Sequence, residues 1–171
     1  MAVRPEERIS LSVPYASGDK DGRLTSQLIE QIEKEGLFRY SPEGSKYVLK
    51  VRILDTKYEN IGFRYDPKRL AKEQKEKLIP NETRSRLLAE VTIVNNETGK
   101  NVLGPAHILS TSEYDHQNYS INNDINRFSL GQLSDIDTAQ DVMNIPLYRN
   151  LAKEINFYLA NHFQELFELE Q

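Results

Sequence analysis

Residues 9–38 read ISLSVPYASGDKDGRLTSQLIEQIEKEGLF, and the apolar period changes once within them. Ile9, Leu11, Val13 and Tyr15 alternate with Ser10, Ser12 and Pro14, the period of two of a half-buried strand ending at a proline. Ala16 to Gly22 is a polar turn in which Asp21 is the candidate N-cap. From Leu24 the period lengthens: Leu24, Leu28, Ile29 and Ile32 share one helical face, with Gln27, Glu30, Gln31 and Lys34 on the other. Gly36 stands where a helix is closed in the left-handed conformation, and Leu37 where the accompanying apolar contact falls. A strand therefore runs directly into a helix.

Downstream, Tyr47, Leu49, Val51 and Ile53 define a second strand. Its apolar character continues through Tyr58, Ile61, Phe63 and Tyr65, with Gly62 the expected site of a bulge. Leu87, Ala89, Val91 and Ile93 define a third. Asn95 to Lys100 is a turn, and Val102 to Tyr114 returns as a fourth strand. Gly104-Pro105 suits an edge or a bulge in it rather than a sheet centre. A closing helix follows from Ile145, Tyr148, Leu151, Ala152, Ile155, Leu159, Phe163 and Leu166. Pro146 belongs to its first turn, capped by Asn144 or Ile145, and Asp137 to Met143 form a separate helical turn.

The order β-α-β-β-β-α predicts an α+β fold, a two-layer α/β sandwich. Its four-stranded sheet is covered on one face by two helices and left free on the other. One domain is expected over residues 1–171, with a core of about residues 9–167. Two connections are long. A charged insert at 64–83 contains a short helix over Leu70 to Leu78, and a polar loop at 116–135 is either functional or mobile.

The chain carries 22 basic and 26 acidic residues, a net charge of −4, which argues against a nucleic-acid partner. It has no cysteine, which excludes disulfides, thiolate metal sites and cysteine nucleophiles. No stretch approaches the ~20 apolar residues of a membrane span. Met1 to Glu7 lack the apolar segment of a signal peptide. That start, read alone, favours the cytoplasm over an exported protein without its leader.

Catalytic signatures are missing. His107, His116 and His162 do not stand at metal-ligand spacing, and no nucleophile elbow, P-loop or dinucleotide fingerprint occurs. His162 reads as a packed or half-exposed histidine, and Glu165, Glu168 and Glu170 as a solvated helix end. The N-x-[ST] triplets at Asn81, Asn96 and Asn118 read as ordinary turn chemistry. No enzyme activity, cofactor or metal is expected. The basic stretch Arg64, Lys68, Arg69, Lys72, Lys75 and Lys77 gives residues 64–77 a charge of +3. It reads either as a solvated helix face or as an anion-binding or partner-docking loop suited to lipid phosphates. Tyr58, Tyr65, Tyr114 and Tyr119 fall near strand ends or loops, as a binding rim would.

Four blocks carry a family likeness. They are Ile9 to Tyr15 with Gly22 to Ile29, then Tyr47 to Ile53 running on to Tyr58. Ser85 to Val94 follow with the Asn96 to Lys100 turn and a return strand ending at Ser112-Glu-Tyr114, and last comes Leu151 to Ile155. In this pattern the chain resembles the LPS-assembly lipoprotein family, LptE. The resemblance implies a non-enzymatic lipoprotein that plugs the LptD β-barrel, assists its assembly and helps move lipopolysaccharide to the outer leaflet. It implies residence at the periplasmic side of the outer membrane, anchored in the precursor by an acylated cysteine after a signal peptide. A chain trimmed of both, with a start methionine added, is the expectation here. The implied partners are the barrel and, secondarily, lipopolysaccharide. No lipid-contacting residue transfers by motif, so Arg64, Lys68, Arg69, Lys72 and Lys75 are nominated on charge alone. The alternative is another periplasmic adaptor or scaffold of similar sandwich shape.

Overall fold

A computed structural model of the protein describes residues 8–66, 77–115 and 136–168. Its elements in chain order are β1 (Ile9–Ser12), α1 (Arg23–Glu35), β2 (Phe38–Tyr40), β3 (Tyr47–Asp66), β4 (Lys77–Asn95), β5 (Asn101–Asp115), α2 (Ile136–Asn161) and α3 (Phe163–Glu168). The strands form one sheet in the order β2-β1-β3-β4-β5. β1 is parallel to both neighbours, while β3, β4 and β5 are antiparallel in succession. The α+β class is as expected, but the sheet has five strands rather than four and three helices are present among the described residues. The missed strand, β2, has only three residues, too few to show a period, although its Phe38 is fully buried.

The core lies between one sheet face and the helices. Ile9 and Leu11 of β1, Leu49 and Val51 of β3, and Leu87, Ala89, Val91 and Ile93 of β4 are all buried. They pack with Leu24, Leu28 and Ile32 of α1 and with Leu147, Leu151, Ala152, Ile155 and Leu159 of α2. The alternation in the sequence thus reports a real two-sidedness.

Local chemistry explains the boundaries of α1. Asp21 is not its cap: Gly22 holds that place at φ 75° without a side-chain bond, and Asp21 pairs in solvent with Arg23 at 2.8 Å. Asp19 does the capping from three residues further back. Its buried carboxylate accepts the Thr25 amide at 2.9 Å and the Thr25 hydroxyl at 2.8 Å. The Thr25 hydroxyl oxygen in turn accepts the Ala16 amide, tying the β1–α1 turn to the helix. Gly36 closes α1 at φ 73°, as expected.

Three further expectations change. Pro146 lies inside α2 rather than in its first turn, and Asp137 to Met143 belong to that same helix. A proline removes one main-chain donor but need not end a helix. Lys77 and Leu78 open β4 rather than closing a short helix, and Leu70 to Glu76 lie outside the described residues. The 64–83 insert is therefore partly hairpin, since Arg64 pairs with Ile79 and Asp66 with Lys77. The 116–135 loop lies outside the described residues.

Bulges shape the long strands. The β3–β4 register shifts around Gly62, as expected, and also between Ile53 and Asp55. β5 is an edge strand, and the register opposite Gly104 is also shifted. A Cβ on Gly104 would sit 2.5 Å from the Val91 carbonyl oxygen, so only glycine fits this approach.

Two substitutions test this account by urea denaturation. Leu49→Ala, at a fully buried position, is expected to lower stability by about 2–5 kcal/mol. Asp19→Ala is expected to lower it by about 0.5–2 kcal/mol, whereas Asp21→Ala changes it by less than about 0.5 kcal/mol.

Candidate functional site

Among the described residues the face of the sheet opposite the helices is open, and it carries mostly charged side chains beside Leu88 and Leu109. Beyond the shift at Leu54, Asp55, Lys57 and Glu59 of β3 fall in register with Leu88, Arg86 and Arg84 of β4. Cross-strand ion pairs run along this face: Arg84 to Glu113 at 2.6 Å, Arg86 to Glu59 at 3.2 Å and Arg52 to Glu90 at 3.0 Å. His107 approaches Glu90 from the β5 side at 3.7 Å, so one carboxylate is shared across three strands. Exposed pairs of this kind contribute only about 0–1 kcal/mol each, so they set a charge pattern more than they hold the fold.

A groove of about 420 Å³ opens on this face where the β1–α1 turn meets β3 and β4. Tyr15, Lys50, Arg52, Glu90 and Asn101 line it, and Tyr15 is 61% exposed. It offers an aromatic surface beside two cations and one carboxylate. Sequence reading passed over Tyr15 because it continues the β1 alternation and so looked like a core position.

A second cleft, of about 440 Å³, lies on the helix side between the β1–α1 turn and α2. Tyr58 and Asn144 meet across it, with 3.5 Å between the phenol oxygen and Asn144 Oδ1. Tyr148 stands in the same cleft, and its phenol pKa is raised above 10.0 by burial first, then by the charges of Asp21 and Asp19.

Arg64 lies near the end of β3, while Lys68, Arg69, Lys72 and Lys75 fall outside the described residues. Lys77 opens β4. Of the tyrosines, Tyr58 sits within β3 rather than at its end, Tyr114 is half-buried near the end of β5, and Tyr119 lies outside the described residues. His162 is half-exposed, as expected: its ring centroid lies 4.8 Å from that of Tyr158, and Nδ1 is 3.1 Å from Glu165. Among the described residues no group of three or more His, Asp or Glu is placed to hold a metal ion. No helix among them is long and apolar enough to cross a membrane.

No family profile and no curated protein matches the chain. Solved structures do. Rare lipoprotein B from Shewanella oneidensis aligns at a TM-score of 0.50 and 14% identity, over 92% of this chain and 98% of that one. A candidate lipoprotein from Caulobacter crescentus aligns at 0.52 and 14%, over 90% of each chain. The chain shares their fold. At such identity the likeness concerns the path of the backbone and transfers no residue role.

Tyr148 provides a measurable property of the helix-side cleft. With a folded-state pKa above that of the unfolded chain, its phenol ionises first in the unfolded state. Stability therefore falls as pH rises from about 10 through the folded value. Tyr148→Phe is expected to reduce this alkaline loss, so that the variant gains on the parent between about pH 9 and pH 11 in urea titrations. An unchanged difference across that range would contradict it.

Proposed function

We propose that this protein is a non-enzymatic envelope lipoprotein of the LPS-assembly type. In this reading it is held at the periplasmic side of the outer membrane by an acyl anchor on its precursor, plugs an outer-membrane β-barrel and assists that barrel's assembly, with lipopolysaccharide as a secondary contact. The observation that carries the reading is the fold shared with rare lipoprotein B along nearly the whole chain.

The geometry is suited to such a role. Among the described residues, one face of the sheet is packed under helices, and the other carries cross-strand ion pairs on either side of Leu88 and Leu109. Outer-membrane barrels have polar interiors, so a plug needs a polar surface that keeps its own shape. The β3–β4 hairpin extends past the helix-covered core and, by chain order, leads into residues 67–76 with their basic side chains. A cationic hairpin end is suited to carboxylates or phosphates at the rim of a partner.

The test is an affinity pull-down of the tagged precursor from detergent-solubilised outer membranes, with retained proteins identified by mass. A large β-barrel at one-to-one stoichiometry is expected. Retention of a different envelope complex would replace the plug with an adaptor of the same fold. The triple reversal Lys68→Glu, Arg69→Glu and Lys72→Glu is expected to weaken capture while leaving the melting temperature unchanged. Undiminished capture by that variant would remove the basic segment from the interface.

A further inference from the structure

The sheet has three stretches of edge, and they are not alike. β2 is only three residues long. β3 is paired with β1 only at its start, apart from one bridge at Arg52, so among the described residues its later part also has an unpaired side. That part carries Lys57 and register shifts at Leu54 and around Gly62, the devices by which proteins discourage strand addition. β5 differs. Its pairing with β4 runs through ten consecutive residues, from Val91↔Ala106 to Glu82↔Asp115, without a shift. A regular strand of that length presents an edge of roughly 34 Å.

The residues of this edge read Ala106-His-Ile-Leu-Ser-Thr-Ser-Glu-Tyr-Asp115, with no lysine, arginine, proline or glycine. Leu109 is 54% exposed on the open face. Among the described residues no strand lies beyond β5. A long, regular edge without lysine, proline or bulge is a template for another strand.

The charge pattern selects that strand. We propose that, in the protein free of any barrel, β5 pairs antiparallel with β5 of a second copy of this chain, about a two-fold axis that passes midway between the two Ser110 residues, perpendicular to the sheet. In this register His107 of each copy lies opposite Glu113 of the other, on the open face. Arg84 already holds Glu113 at 2.6 Å, and Glu90 already faces His107 at 3.7 Å. The two open faces therefore join into a single row of acidic and basic side chains. Leu109 falls opposite Thr111, and on the helix side Ala106 falls opposite Tyr114, a small residue against a large one. Centring the pair on Leu109 instead would set Glu113 against Pro105, and centring it on Thr111 would set Glu113 against Leu109. Directly opposed residues are the unit of sheet stabilisation, which favours the Ser110 register.

Two measurements test this on the intact chain. Sedimentation velocity at protomer concentrations from about 1 to 100 µM is expected to show a reversible dimer. Leu109→Lys, at an exposed position, is expected to weaken it at least about tenfold with an unchanged far-UV circular dichroism spectrum. A monomer throughout, or a dimer indifferent to that substitution, overturns the proposal. The absence of native cysteine makes the register directly readable. Opposed Cα atoms in an antiparallel pair lie within disulfide reach, about 4.5–5.5 Å. Leu109→Cys chains mixed with Thr111→Cys chains are expected to cross-link on mild oxidation, and neither variant alone to do so. Efficient cross-linking of Leu109→Cys with itself would overturn the Ser110 register.

Discussion

One unpaired residue in β3 decides which way most of the sheet's far half faces. Ile53 pairs with Ala89 and Asp55 pairs with Leu88, so Leu54 has no partner of its own. Before it, the odd-numbered residues of β3 face the helices, and Tyr47, Leu49 and Val51 are buried. After it the parity reverses: Thr56 and Tyr58 share the helix-side face with Leu87 and Ser85, while Asp55, Lys57 and Glu59 join the open face. Were Leu54 paired with Leu88 instead, Asp55, Lys57 and Glu59 would point to the helix side, and Thr56 and Tyr58 to solvent. Side-chain direction alternates strictly along a strand, so a single insertion is the cheapest way to exchange the two sets. The ion pair of Arg86 with Glu59 exists because of it.

The same two-sidedness separates stability from recognition. The helix-side residues from Leu87 to Ile93 on β4 are fully enclosed, and each removes apolar surface from water. The residues between them, Leu88, Glu90 and Thr92, meet neighbours on the open face instead. The connection from β2 to β3 reinforces this division. It brings Ser45 against Ser10, hydroxyl to hydroxyl at 3.0 Å, and Ser45 also donates to the Ser41 carbonyl. Asn96 of the β4–β5 turn donates to the Ser45 carbonyl, so two loops distant in sequence are fastened at one end of the sheet. Among the described residues the open face carries charged side chains on either side of Leu88 and Leu109 and is anchored at its end by these loops.

How much of this was legible in the sequence depends on the range of the interaction concerned. The core positions of β1, α1, β3 and β4 followed from apolar period, because burial on one side leaves that trace over four or more residues. Phe38 was invisible for the opposite reason: a three-residue strand has no period, and its burial comes from β1 and α1 rather than from its neighbours in sequence. Asp19 was missed as a cap because it stands outside the ordinary N-cap place and reaches Thr25 only through the fold of the turn. α2 was begun nine residues too late because Pro146 is a strong local signal, whereas the tolerance of a proline inside a helix depends on tertiary packing. Of the nominated basic site, only Arg64 falls on a described strand, and the other four residues lie outside the described residues. Tyr15 and His107 emerged only once the strands lay side by side.

These two kinds of position also explain how a fold can persist at 14% identity. The backbone path is specified by a pattern in which alternate strand residues and one stripe of each helix are apolar. Many residues satisfy that pattern equally well, since cores accept volume-conserving exchange. Open-face positions are under no such constraint from the core, and surface substitutions there change stability little. A protein built this way can alter its partner-facing residues while keeping its frame. A shared fold at this identity therefore transmits the path of the backbone and no particular contact.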